Sequence, residues 1–135
     1  MKRTYIDAGV LIAAARGKGS IGQRALEILS DASREFVSSD YVRFETVPKA
    51  AYFNRHAEVA FYEVFFARAV TWFSFDGDHL VEAFKEACEC GLSAMDAVHT
   101  VLASLANCEE LVTSERPEQS IHRTKRVRTL SIDPT

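Results

Sequence analysis

The chain has 135 residues, 47% of them apolar, and a net charge of −3, which fits one domain with a sizeable core and excludes disorder. No apolar run approaches the roughly 18–20 residues of a membrane span, and the acidic balance gives no overall attraction to nucleic acid or an anionic membrane. The three cysteines, Cys88, Cys90 and Cys108, are odd in number and lack zinc spacing, which argues against a disulfide framework or zinc site and for thiols in a reducing compartment.

The start, "MKRTYIDAGVLIAAARGKGS", has basic residues and an apolar patch. Asp7 interrupts that patch and no clean cleavage site follows, so the segment reads as a strand entering a helix and not as a leader. The expectation is a soluble, cytoplasmic protein. "RTYID" is the strand and "AGVLIAAAR" the helix. "GKGS" breaks it, and a second helix runs from Ile21 to Ala32 on apolar residues at helical spacing. "REFVSS" is the second strand. "DYVRFETVPKAAYF" is a helix with Asp40 as its cap, bent or divided at Pro48. "AEVAFYEVFFARA" is amphipathic, and "VTWFSF" has strand character. Asp76 caps a helix carrying Leu80, Val81, Ala83, Phe84 and Ala87, which Gly91 ends. "GLSAMDAVHTVLASLA" is the next helix, "EELVTSE" a strand and "RVRTLSI" the last strand. This order predicts a single α/β domain over residues 1–135 with a mainly parallel sheet covered by helices. Nine aromatic residues lie between Tyr52 and Phe75. They are either core or a self-association surface.

Ligands in parallel α/β sheets bind at the carboxyl ends of strands, and four acids map to that edge. Asp7 ends the first strand. Glu45 lies in the helix after "EFVSS". Asp96 lies in the first turn of its helix, and Glu115 follows "ELVT". Each has a structural alternative. Asp7 caps a helix, Ser93 and Asp96 have capping-box spacing, Glu45 is a solvated helix residue, and Glu115 starts a turn. Taken together, converging carboxylates repel one another unless a hard cation with oxygen preference neutralises them, which points to phosphodiester chemistry. Thr113 and Ser114 either hydrogen-bond a water there and orient Glu115 or form the strand-end turn. Five basic residues, Arg116, Arg123, Lys125, Arg126 and Arg128, face one acid, Glu118. They form either a solvated strand or a backbone-contacting rim to which Arg16, Lys18, Arg43 and Lys49 add. His99, one turn past Asp96, reads as a core or supporting histidine. No phosphate-binding glycine loop or nucleophile elbow is present.

"YIDAGVLIAA", "FE" at Phe44–Glu45, "LSAMDAVHTVLA" and "LVTSE" resemble the successive motifs of PIN-domain ribonucleases, whose most numerous members are VapC-type toxins. The resemblance covers nearly the whole chain. It implies a three-layer α/β/α sandwich and an Mg²⁺- or Mn²⁺-dependent ribonuclease acting on RNA. Asp7, Glu45, Asp96 and Glu115 would be the catalytic and metal-binding acids, with Thr113, Ser114 and Arg116 supporting the metal or substrate. It also implies a homodimer and a cognate antitoxin. Two positions depart from the family. The residue two after the first Asp is often Asn, Ser or Thr and here is Gly9. The last acid is usually Asp and here is Glu115. A catalytically degenerate domain that binds RNA or protein is the alternative.

Overall fold

The computed structural model describes residues 1–135. In chain order the elements are β1 (Lys2–Ile6), α1 (Ala8–Arg16), α2 (Gly19–Leu29), β2 (Arg34–Ser39), α3 (Asp40–Tyr52), α4 (His56–Ala67) and β3 (Thr71–Phe73). They continue with α5 (Gly77–Cys90), α6 (Ala94–Leu105), β4 (Glu110–Thr113), a short 3-10 turn (Ser120–Arg123) and β5 (Thr129–Ser131). The strands form one sheet in the order β3-β2-β1-β4-β5, and every pairing is parallel.

That order places the site. From β1 the chain steps outward through β2 to β3, then returns across them to β4. Right-handed crossovers put the helices of outward and returning connections on opposite faces. Accordingly α1 packs on α2, α3 and α4, while α5 and α6 pack on each other. The core is closed by fully buried side chains of the central strands, including Tyr5, Ile6, Leu111 and Val112. Connections leave β1 and β4 in opposite directions, so a crevice opens outside the carboxyl ends of these two neighbours. The Asp7 amide donates to the Val112 carbonyl at 3.1 Å, tying the end of β1 to β4.

Local structure departs from the sequence expectation in three places. The cap of α3 is Ser39, whose hydroxyl accepts from the Val42 amide at 3.2 Å. Asp40 is not the cap. Its carboxylate accepts instead from Trp72 Nε1 and the Phe75 amide. Helix α3 also runs undivided through Pro48, because Tyr41, Val42, Thr46 and Ala50 bury a stripe on both sides of it and Pro48 itself is exposed. Tertiary packing overrides the local penalty here. The second helix starts earlier than Ile21 and ends at Leu29, because Gly17 takes a left-handed φ of 62° that closes α1 and lets α2 start at once.

The aromatic run divides. Tyr62, Phe65 and Phe66 are core, and Phe61, Trp72 and Phe73 pack against it. Tyr52, Phe53 and Phe75 are exposed. Along α5, the apolar Leu80, Val81 and Phe84 face solvent, whereas Glu86 is buried. No helix is long and apolar enough to cross a membrane.

Candidate active site

Asp7 is the residue after β1, and only 7% of it is exposed. It does cap α1, with Oδ1 accepting from the Val10 amide at 3.1 Å. That single bond does not compensate its burial. Desolvation raises the Asp7 pKa to about 6, against the lowering effects of the Thr113 hydroxyl, His99 and the Val10 amide, and the charge of Asp96 raises it further. Asp7 and Asp96 are therefore electrostatic neighbours across the crevice.

Asp96 reaches that position from the first turn of α6. The Ser93 hydroxyl accepts from the Asp96 amide at 3.4 Å. The reciprocal half of a capping box, in which the Asp96 carboxylate would accept from Ser93, is not made, and the carboxylate remains half-buried. Residues three apart on a helix share a face, so α6 carries His99 toward the same region.

His99 joins three elements. Its Nδ1 lies 2.7 Å from the Tyr5 hydroxyl on β1, and its Nε2 lies 2.5 Å from Glu45 Oε1 on α3. The Tyr5 oxygen lies 2.9 Å from Ser39 Oγ on β2. Burial holds the Tyr5 phenol well above its usual range, although the Ser39 hydroxyl lowers it, so Tyr5 keeps its proton. Tyr5 thus bridges Ser39 Oγ and His99 Nδ1, and His99 bridges Tyr5 and Glu45. A buried chain of hydrogen bonds thereby aims a carboxylate that is itself about a third exposed. The supporting reading of His99 agrees with this placement.

Glu115 stands apart from this group. It is exposed, its amide donates to Thr113 Oγ1 at 3.1 Å, and its carbonyl faces His122 Nε2 at 3.0 Å. Arg116 is exposed and pairs with Asp133 at 3.3 Å. Of the other basic residues near the C-terminus, Arg126 pairs with Glu82 and Glu86, and Arg123 donates to the Cys90 carbonyl. Arg16, Lys49 and Arg55 line a small groove together with Glu45 and Glu58. No three acids, histidines or cysteines converge as a ready chelate.

The sequence reading missed Tyr5 and Ser39. A signal existed for Tyr5, since a tyrosine in a strand buried on both faces needs a partner for its hydroxyl. Ser39 gave none, because its partner is remote in sequence and depends on the strand order.

An α/β domain with acids gathered at the crevice between its two central strands is thus defined. Residues 4–117 match the PIN domain family, and the chain belongs to it. Among solved structures it is similar to VapBC2 from Rickettsia felis bound to a DNA fragment from the promoter, at 13% identity, 96% and 98% coverage of the two chains and a TM-score of 0.71. DNA-bound VapBC from Salmonella typhimurium is similar at 15% identity, 98% and 99% coverage and a TM-score of 0.71. The sarcin-ricin loop cleaving toxin VapC20 of Mycobacterium tuberculosis is similar at 16% identity, 80% and 86% coverage and a TM-score of 0.64. At these identities the likeness is one of fold. No curated protein matches the chain in sequence.

Proposed function

We propose that this PIN domain is a ribonuclease dependent on Mg²⁺ or Mn²⁺, and that it is the toxin of a toxin–antitoxin pair. The observation that carries the reading is Asp7: a buried acid near a second acid, without an arginine or lysine partner, at the crevice where this fold binds ligands. Such an arrangement raises a pKa at a functional site more often than at a structural one. It also suits a hard divalent cation, which binds through one or two carboxylates and keeps several waters. Asp7 and Asp96 would hold it. Glu45, aimed by His99, and Glu115, with the longer reach of a glutamate, would complete the ligand set, and Thr113, Ser114 and Arg116 would support it.

A bound cation would supply an activated water at neutral pH and neutralise charge on the leaving oxygen. The chain's own groups supply the rest. Asp7 and Asp96 provide the negative charge, and its cost is relieved when the cation binds. The Ser39–Tyr5–His99 chain holds one oxygen of Glu45 at His99 Nε2, so Glu45 presents its free oxygen to the crevice. Arg16, Lys49 and Arg55 lie in the groove beside Glu45 and suit an RNA backbone. The structural likeness to VapBC complexes supports an antitoxin partner, and the exposed apolar face of α5 suits a second copy or that antitoxin.

The test is RNA cleavage with Mn²⁺ or Mg²⁺ by the parent, Asp7→Asn and Asp96→Asn. Metal-dependent cleavage lost in both variants supports the enzyme. Absence of both cleavage and metal binding in the parent sinks it. One observation favours a second reading, an RNA- or protein-binding domain without activity: Glu115 is exposed and its carboxylate has no hydrogen-bond or ion-pair partner. Metal-independent RNA binding would select that reading.

A further inference from the structure

Gly9 lies within α1, and its backbone is not in the left-handed region. Apart from proline, glycine is the poorest helix former, so the backbone does not explain its presence. The space around it does. A Cβ on residue 9 would fall 2.0 Å from Ser114 Oγ and 3.0 Å from Ser114 Cβ, and 3.6 Å from Asp7 Oδ1. The hydroxyl at the end of β4 therefore occupies the volume that a side chain on α1 would fill, and that volume borders the Asp7 carboxylate. Ser114 is half-buried.

We infer that Ser114 is a positioning residue of the metal site: its hydroxyl stands in for a side chain at residue 9 and holds a water in contact with the Asp7 carboxylate. Residues 9 and 114 then form an exchangeable pair, in which one hydroxyl delivered from either side serves the site and two crowd it. This rests on the metal-dependent reading above. A Ser114 that only fills space gives a different pattern.

The experiment measures Mn²⁺ affinity by electron paramagnetic resonance and thermal unfolding without metal, for the parent, Ser114→Ala, Ser114→Gly, Gly9→Ser and the double variant Gly9→Ser/Ser114→Gly. Ser114→Ala should weaken Mn²⁺ binding about tenfold, the lower end for loss of a partner that orients a ligand, with the unfolding temperature unchanged. Gly9→Ser alone should lower that temperature, and the double variant should recover both stability and most of the Mn²⁺ affinity that Ser114→Gly loses. The inference is overturned if Ser114→Ala binds Mn²⁺ as the parent does, or if the double variant binds no better than Ser114→Gly. RNA cleavage measured alongside separates the two readings. Unchanged Mn²⁺ affinity in Ser114→Ala with cleavage intact in the parent removes only the role of Ser114. Mn²⁺ binding that depends on Ser114, in a parent that cuts no RNA, removes only the nuclease. A parent that binds no Mn²⁺ removes both.

Discussion

Three acids are buried in this molecule, Asp7, Glu86 and Glu110, and the surroundings of the first two differ in kind. Glu86, on α5, is 2% exposed. It receives the Thr124 hydroxyl at 2.6 Å, the Thr100 hydroxyl at 3.5 Å and the Cys90 thiol at 3.5 Å. Arg126 Nε lies 3.4 Å from it. Its charge is matched, and the network joins α5, α6 and the segment after the 3-10 turn. Asp7 is nearly as buried but has one hydroxyl, the His99 ring, one backbone amide and a second acid as neighbours, and no arginine or lysine. Burial alone therefore does not mark a functional acid. A buried charge paired with an arginine holds structure together, whereas one left without such an ion pair has affinity to spare for a ligand.

Asp7→Asn gives the largest effect that can break this comparison. The side chain keeps its size and its capping ability but loses its charge. Cleavage should fall by at least ~100-fold, consistent with a charge worth several kcal/mol in the transition state. Stability should move the other way. The folded pKa of Asp7, about 6, lies above the 3.8 of a free aspartate. The native state therefore binds the proton more tightly, and this group's contribution to stability falls as pH rises from about 4 to 6 and stays low above it. In metal-free protein the variant should be about 3 kcal/mol more stable than the parent at pH 7.5 and nearly equal to it at pH 3.5. Urea unfolding at the two pH values measures this. Equal stability at both would mean that Asp7 has an ion-pair partner after all.

Glu86→Ala tests the other half. Breaking a buried pair should cost about 3 kcal/mol, the lower end of the range because Glu82 still holds Arg126. Mn²⁺ affinity of the folded fraction should be unchanged. A loss of Mn²⁺ binding with the fold intact would move Glu86 into the functional class.

The difference between these acids was only half legible in the sequence. Asp7 stood out because it follows a strand and precedes an apolar helix, and the rule about strand ends gave it a place. Asp96 stood out against the apolar run of α6. Both inferences used periodicity and connection order, which are local. Glu86 passed unnoticed because α5 shows an apolar stripe of Leu80, Val81 and Phe84, and it is this stripe that faces solvent. Only the partners contributed by α6 and the segment after the 3-10 turn explain why the acid goes inward. The cap of α3 was misplaced by one residue for a similar reason: Asp40 is drawn to Trp72 and Phe75, which are remote in sequence. The parallel sheet, the element order and the crevice followed from the pattern. The donors to each buried acid did not.

Glu45 lies between the two cases, and Tyr5→Phe tests it with the smallest expected effect. Glu45 has a partner, His99, whose other ring nitrogen is held by the Tyr5 hydroxyl. Removing the hydroxyl leaves His99 Nδ1 and Ser39 Oγ without their buried neighbour, which should cost about 1–2 kcal/mol of stability. The ring is then released to carry its proton on Nδ1. In that tautomer Nε2 has no proton to donate, and Glu45 loses the bond that aims it. Turnover should fall about tenfold, as for other losses of a group that orients a ligand, and KM for RNA should change little. Nitrogen chemical shifts of the His99 ring give a readout independent of activity. In the parent the proton should reside on Nε2, and in the variant the two tautomers should mix. A variant that keeps the Nε2 proton and full turnover would show that Glu45 fixes His99, and not the reverse. The direction of the chain would then run from the crevice inward, which would move Glu45 toward the structural class that Glu86 represents.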